Sequence, residues 1–177
     1  MKRCIGSFLL ALTLCPGLFG SGASMAAENP YDCYQQILID IHDEQYDVTL
    51  HADYLQYALY DIDGDGVKEL IVLSGTCEAD YVWRVYTIVD NQAWYIGETF
   101  GGHSTLYACP DGGFYNMMAH MGYQAIYRVT YANDAISEEF ILSKELAEDE
   151  EYDTPGDPID CAYITDFGLL EEAEKCR

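Results

Sequence analysis

The pattern of apolar and polar positions divides the chain into one helix-like stretch and a long series of strand-like stretches. From residue 31 to 43, apolar side chains recur every three or four positions and form a single stripe. The stripe consists of Tyr34, Ile37, Leu38 and Ile41. This spacing predicts an amphipathic helix that begins close to Asn29 and Pro30.

Beyond the helix, short apolar segments rich in Val, Ile, Tyr and Trp are separated by turn residues such as Gly, Asp, Asn and Pro. Each segment has the composition of a β-strand, and each interruption has that of a turn. The predicted strands span residues 57–60, 69–74, 81–89, 92–99, 104–109, 114–121, 123–131 and 135–142. No internal repeat is visible, which argues against a propeller.

The short turns favour an antiparallel meander over alternating strands and helices. Several strands are apolar on both faces, which indicates a curled sheet or half-barrel covered by the N-terminal helix. We therefore predict an α+β fold in which the N-terminal helix packs on a curled, half-barrel-like antiparallel sheet. Residues 145–157 hold seven acids and no base, which predicts an acidic linker. We predict that an edge strand at 158–165 and a short C-terminal helix at 167–175 come after this linker.

The N-terminus has the pattern of a secretory signal peptide. Lys2 and Arg3 precede an apolar run at residues 5–14, which is too short to span a membrane as a helix, since that requires about 20 residues. Small residues at Ala26 and Ala27 predict cleavage there and a secreted protein. A lipoprotein anchored through Cys15 is the less favoured alternative, because Leu14 stands where a small residue is expected. The predicted organisation is a signal peptide at 1–27, a domain at 28–144 and an acidic segment at 145–177 that packs back on the domain.

The composition excludes several classes of protein. Half of the residues are hydrophobic and 14% are aromatic, so the chain can build a core and is not a disordered acidic polymer. The formal net charge is −23, with only 8 Lys and Arg residues against 31 acids. Phosphate contacts need basic side chains, so neither nucleic acid nor an anionic membrane surface is an expected partner. Cations, neutral sugars and basic proteins remain as possible partners.

The predicted mature chain has an odd number of cysteines: Cys33, Cys77, Cys109, Cys161 and Cys176. None belongs to a Cys-x-x-Cys pair, which argues against a zinc ribbon or a thioredoxin-like site. Export permits disulfides, so one or two disulfides with at least one free thiol are expected. Their pairing cannot be read from the sequence, and Cys77 and Cys109 also suit small buried positions.

The stretch from residue 61 to 69, DIDGDGVKE, is the most specific chemical signal in the chain. Asp61, Asp63 and Asp65 alternate in a short loop, which aims their carboxylates at one point. Ca²⁺ prefers six to eight oxygen ligands at about 2.3–2.6 Å. The carbonyl of Val67 is the expected fourth ligand, and Glu69 is expected to close the site. An uncomplexed Asp-Gly hairpin loop is the alternative.

This loop resembles an EF-hand loop but departs from it, because strands flank it and Val72 replaces the closing Glu. It more closely resembles the Asp-rich calcium loops of FG-GAP and VCBS-type modules, and single-copy versions of them in exported proteins of gut Clostridia. The close resemblance covers residues 57–74, and a looser one extends to about residue 131. It implies a calcium site and export but no activity.

Two further sets of residues suggest alternative functions. His103, Ser104 and His120 would lie near one another if the fifth and sixth strands pair, and they could form a hydrolase site or, with a third ligand such as Cys109, a zinc site. However, Gly-His-Ser is not the Gly-x-Ser-x-Gly elbow of a serine hydrolase. Trp83 and Trp94 on adjacent strands could stack on a glycan, although sheet packing is the commoner use of such residues.

The sequence therefore predicts a secreted or cell-surface protein that binds Ca²⁺ structurally through Asp61, Asp63, Asp65, Val67 and Glu69. The alternatives are a hydrolase built on His103, Ser104 and His120, or a module that binds a glycan or a host protein. The sequence contains no catalytic motif that favours an enzyme.

Overall fold

The computed structural model describes residues 29–46, 48, 51–147 and 149–175. The predicted signal peptide, Cys15 and Cys176 lie outside these residues. The elements within them are α1 (Asp32–Tyr46), a 3₁₀ turn (Ala52–Tyr54), β1 (Gln56–Tyr60), β2 (Glu69–Ser74), β3 (Val82–Val89), β4 (Gln92–Phe100), β5 (Ser104–Ala108), β6 (Phe114–His120), β7 (Tyr123–Ala132), β8 (Ala135–Glu145), β9 (Cys161–Tyr163) and α2 (Gly168–Lys175).

The strands form two antiparallel sheets, so the predicted α+β class is confirmed. A five-stranded sheet has the order β4-β3-β2-β1-β9, and a four-stranded sheet has the order β5-β6-β7-β8. The prediction of one curled, half-barrel-like sheet is wrong, because the chain changes sheet between β4 and β5. Gly101 and Gly102 occupy this connection. An added Cβ would meet Leu73 and the backbone at Tyr81 in the first case, and the Glu78 carbonyl in the second.

The five-stranded sheet has apolar side chains on both faces, and each face belongs to a different core. Tyr57, Leu70 and Val72 share a buried cluster with Tyr34 and Leu38 of α1. On the opposite face the buried residues come from both sheets: Ala58, Ile71, Trp83, Val85, Ile96, Leu106, Phe114 and Val129. The strands that are apolar on both faces therefore lie in the middle layer. The second sheet, and not the curling of a single sheet, covers the face opposite α1.

Buried polar groups join the two sheets. Asn116 of β6 is fully buried, and its Nδ2 donates to Thr99 Oγ1 at 2.8 Å and to the Phe100 carbonyl at 2.7 Å on β4. Trp83 Nε1 of β3 donates to Ser104 Oγ of β5 at 2.8 Å. Such buried bonds fix the relative position of the sheets, because a lost partner would leave a polar atom without water.

The C-terminal segment contributes two elements to the same structure. β9 pairs with β1, with Tyr57 opposite Ala162, and forms one edge of the five-stranded sheet. Leu170 and Ala173 of α2 are buried in the cluster that contains Tyr34 and Leu38. In the described part of the chain, no helix is long and apolar enough to cross a membrane.

The four described cysteines, Cys33, Cys77, Cys109 and Cys161, are free thiols. The expected one or two disulfides are therefore not found among the described residues. Cys109 is buried and Cys33 is partly buried, as small apolar residues often are. Cys77 and Cys161 are exposed.

Candidate metal centre

The acidic loop connects β1 to β2 in the middle of the five-stranded sheet. Tyr60 pairs with Glu69 as the last rung of the hairpin, and the loop spans the residues between them. Within it, Asp61, Asp63 and Asp65 each place one carboxylate oxygen so that these oxygens lie within 4.8 Å of one another. The alternation seen in the sequence therefore does bring the three side chains together.

The loop's own amide groups hold these carboxylates in place. Asp61 accepts hydrogen bonds from the amides of Gly64, at 2.8 Å, and Gly66, at 3.0 Å. Asp63 Oδ1 accepts from the Asp65 amide at 3.2 Å, and Asp65 Oδ1 accepts from the Val67 amide at 2.7 Å. Each bond uses only part of a carboxylate's acceptor capacity, so lone pairs remain for a further partner.

Gly66 permits the tight path of the loop. Its φ is +89°, in the region that L-residues rarely adopt, and an added Cβ would meet no other atom within 4 Å. The need for glycine here thus comes from backbone conformation and not from crowding. This conformation follows Asp65 directly and allows the chain to turn back toward β2.

Ile62 fastens the loop to the body of the protein. Its side chain is 1% exposed and belongs to the core between the sheets. Its amide donates to Glu69 Oε2 at 2.8 Å, and its carbonyl accepts from the Gly113 amide at 2.8 Å. Because Gly113 lies in the turn before β6, one residue of the acidic loop contacts both sheets.

Glu69 lies beneath the loop and is only 1% exposed. Besides the Ile62 amide, it accepts a hydrogen bond at Oε1 from Thr87 Oγ1 of β3 at 3.0 Å. Burial raises the pKa of Glu69, the two hydrogen bonds lower it, and the charges of Asp63 and Asp65 raise it. The net result is a pKa of about 7. Glu69 is not a member of the cluster of three carboxylates. Its two donors hold its carboxylate below the loop, and each of its oxygens keeps a lone pair.

Helix α1 and Tyr31, the residue directly before it, support the end of the loop. The Tyr31 hydroxyl accepts a hydrogen bond from the Lys68 amide at 3.3 Å. The Tyr34 hydroxyl lies 3.2 Å from the Lys68 carbonyl and 3.0 Å from the Tyr86 carbonyl. Burial, followed by the nearby charge of Glu69, raises the pKa of Tyr34, so this hydroxyl stays protonated and can donate.

The chemistry of this arrangement suits a hard cation. Three carboxylates converge at a solvent-accessible point, since Asp63 and Asp65 are exposed and Asp61 is partly so. They supply three of the six to eight oxygens that Ca²⁺ takes, and the Val67 carbonyl and water are available for the rest. With no nitrogen or sulfur donor in the cluster, the site does not match the ligand preferences of zinc.

His103 and His120 are brought together elsewhere in the molecule. Pairing of β5 with β6 places their rings in a parallel stack, with centroids 3.7 Å apart and planes 10° apart. Glu78 approaches His103 Nδ1 at 2.6 Å. A metal ion must lie in the plane of each imidazole that binds it, so two parallel stacked rings cannot share one ion at about 2.0 Å. Cys109, suggested as a third ligand, lies at the far end of β5.

Ser104 lies beside the stacked histidines, but its hydroxyl is engaged in other bonds. It accepts from Trp83 Nε1 at 2.8 Å and donates its single proton to the Gly101 carbonyl at 3.0 Å. A serine nucleophile instead gives that proton to a base. This geometry gives no support to the hydrolase alternative.

The two tryptophans differ in environment. Trp83 is 3% exposed and lies in the core between the sheets, whereas Trp94 is 53% exposed. They do not form a continuous aromatic platform of the kind that a glycan would stack on.

Sequence reasoning missed three residues that organise these sites: Thr87, Gly113 and Glu78. Thr87 and Gly113 contact the loop only because the chain folds back from distant positions, and nothing in the local sequence indicates either contact. Glu78 stands in the turn before β3 and reaches His103 across the sheet connection.

Comparison of the chain with protein-family models, curated proteins and solved structures found no match. The function must therefore be argued from the residues themselves.

Proposed function

We propose that this is an exported protein whose β1–β2 loop binds one Ca²⁺ ion as a structural element. Asp61, Asp63 and Asp65 are the proposed side-chain ligands, and the Val67 carbonyl is the proposed backbone ligand. Glu69 is proposed to act from beneath, either as a direct ligand or by holding Ile62 in place.

The convergence of three carboxylates within 4.8 Å carries this proposal. Like charges at such a distance repel one another, and the cluster contains no basic side chain. A divalent cation would neutralise two of the three charges. It would also tighten the loop that sets the register between β1 and β2.

The proposal is tested by calorimetric titration of the metal-free protein with CaCl₂. We expect binding with a Kd between about 10⁻⁵ and 10⁻³ M, the range from sensor sites to extracellular modules. Asp65→Asn should weaken Ca²⁺ binding, because it removes one of the three clustered charges, although the asparagine Oδ1 can still serve as an oxygen ligand. Mg²⁺ should substitute poorly, since it demands a tighter octahedron at about 2.0–2.1 Å.

Asp80→Asn is the matched control for that experiment. It removes the same charge from the other turn that flanks β2, where the Asp80 carboxylate is bonded to Thr76 and Cys77. This variant should bind Ca²⁺ as the unmodified protein does. No heat in the unmodified protein at 5 mM Ca²⁺, or equal binding by the Asp65→Asn variant, would disprove the calcium site.

Export rests on the basic start, the apolar run and the small residues around Ala27. The intact mass of the secreted protein should correspond to a chain that begins at Ala27 or Glu28. A mature protein that retains Met1, or one that begins at a lipidated Cys15, would contradict this part of the proposal.

A further inference from the structure

A cavity of about 240 Å³ opens between the two sheets, at the end where β3 turns into β4. Its lining includes Thr87, Val89, Trp94, Ile96, Tyr131 and Asp134. The volume lies just below the range of about 300–1,000 Å³ that is typical of pockets for drug-sized ligands. The cavity therefore suits a smaller molecule or a single chemical group.

The walls combine aromatic rings with aliphatic side chains. Trp94 lies opposite Thr87 in the β3–β4 ladder and remains 53% exposed, although the other tryptophan is buried. Tyr131, near the end of β7, lines the same cavity. A half-exposed indole beside a hollow is a surface on which an apolar or cationic group can rest.

The charge that lies nearest to the cavity is negative. Asp134 is the one charged residue in its lining, and no lysine or arginine contributes to it. Behind Thr87, at 3.0 Å from its hydroxyl, lies the carboxylate of Glu69. Burial, followed by the charges of Asp134, Glu69, Asp63 and Asp65, raises the pKa of Tyr131, as expected for a hydroxyl in acidic surroundings. These charges disfavour an anionic ligand and favour a cationic one.

We propose that this cavity binds a small alkylammonium group, with its carbon atoms against Trp94 and Tyr131 and its charge facing Asp134. Aromatic rings attract such cations through their negative faces, and a carboxylate nearby adds a direct charge interaction. None of the three clustered aspartates lines the cavity, so the groups proposed to contact the cation include no proposed calcium ligand.

The test is a calorimetric titration, at one fixed calcium concentration, with choline and with its neutral isostere 3,3-dimethylbutan-1-ol. The two probes have the same shape and differ in charge, so the proposal expects choline to bind at least about tenfold more tightly. Measurable binding of choline and its isostere with equal affinity would overturn it.

Two variants locate the site. Asp134→Asn should weaken choline binding about fivefold and Trp94→Leu about tenfold, with the affinity for the neutral isostere little changed by Asp134→Asn. Asp134 has φ +62°, a conformation that asparagine also adopts, so this variant is expected to fold even if Trp94→Leu does not. Tyr163→Leu, which alters an equally exposed aromatic residue on β9, is the control and should leave choline binding unchanged. Unchanged binding by the Asp134→Asn variant would contradict the proposed site.

An alkylammonium group can belong to a free small molecule or to a lysine side chain. Nα-acetyl-lysine methylamide is the probe for the second source, because its backbone is capped as in a peptide and its side-chain ammonium group is free. Tighter binding of choline assigns the cavity to a free quaternary amine, and tighter binding of the lysine derivative assigns it to a protein partner. Failure of both probes would overturn the proposal.

Discussion

An acidic turn flanks β2 at each end, and the two turns hold their carboxylates in different ways. At the end of β2, the single carboxylate of Asp80 accepts from the Thr76 amide, the Thr76 hydroxyl and the Cys77 amide at 2.7–2.8 Å. At its start, three aspartates share four backbone amides and lie within 4.8 Å of one another.

The two turns differ in the number of hydrogen-bond donors for each carboxylate. In the Asp80 turn, three donors serve one charge, and they lower the pKa of Asp80 to about 2. That turn is complete without an ion. In the Asp61–Asp65 loop, the donors fix the positions of the side chains but leave the charges close together. The number of donors per carboxylate, and not the number of acids, separates a self-contained turn from a candidate metal site.

The largest expected effect concerns Glu69 in metal-free protein. Its pKa of about 7 lies above the ordinary glutamate value of 4.5, so the folded state binds this proton more tightly than the unfolded state does. The free energy of unfolding should therefore fall as the pH rises from 4.5 to 7, by roughly 3 kcal/mol at most.

Glu69→Gln should remove this pH dependence, because a glutamine amide can accept from Ile62 and donate to Thr87 without carrying a charge. In chelator, denaturant unfolding at pH 5 and pH 8 should show the variant gaining stability over the unmodified protein as the pH rises. Parallel pH profiles for the two proteins would contradict this assignment.

The next effect is calcium itself. At a Kd of about 10⁻⁵ M, 1 mM Ca²⁺ adds about 2.7 kcal/mol by mass action, or roughly 5–10 °C in Tm for a domain of this size. Asp65→Ala should abolish the difference in Tm between calcium and chelator. Identical Tm values of the unmodified protein under both conditions would contradict the proposal that the Asp61–Asp65 loop, unlike the Asp80 turn, binds an ion.

Asp80→Ala is expected to have the opposite signature. It should lower Tm by a few degrees, because the Thr76 and Cys77 amides lose their acceptor. The decrease should be the same in chelator and in Ca²⁺, as measured by thermal unfolding. A decrease seen only in Ca²⁺ would mean that the two turns are coupled through β2.

The smallest expected effect is on the Tm of the Asp65→Asn variant, which should rise in chelator and fall in Ca²⁺ relative to the unmodified protein. In chelator, Asp65→Asn should raise Tm by roughly 1–2 °C, since it relieves repulsion while asparagine Oδ1 still accepts from Val67. In millimolar Ca²⁺, the same variant should melt below the unmodified protein. A decrease in both conditions would show that the charge of Asp65 has a structural role without an ion.

Local sequence patterns located most elements but not their arrangement. The bounds of β2 were predicted correctly, because Gly75 follows it directly and the Asp-rich loop precedes it. β8 was predicted to end at Leu142 but continues to Glu145, since pairing of Tyr123 with Glu145 keeps polar residues in the ladder. Strands that are apolar on both faces fit either a curled sheet or a middle layer, and periodicity cannot distinguish the two.

The same limit applies to the candidate site. The alternation of Asp61, Asp63 and Asp65 is local, so the sequence was enough to predict that they converge. The surroundings of Glu69 depend on Thr87, which is 18 positions away along the chain. Hydrogen-bond donors that are distant in the sequence, such as Thr87, determine the position of the Glu69 carboxylate, and local sequence does not reveal them.

Ile62 has a consequence for exchange of amide hydrogens with solvent. Its carbonyl accepts the Gly113 amide, and glycine is required there because a Cβ would collide with the Val129 carbonyl and because φ is +79°. An ion that reduces opening of the acidic loop would also reduce opening of this bond. The Gly113 hydrogen should thus exchange more slowly in calcium than in chelator, although it belongs to a turn of the other sheet and contacts no proposed ligand.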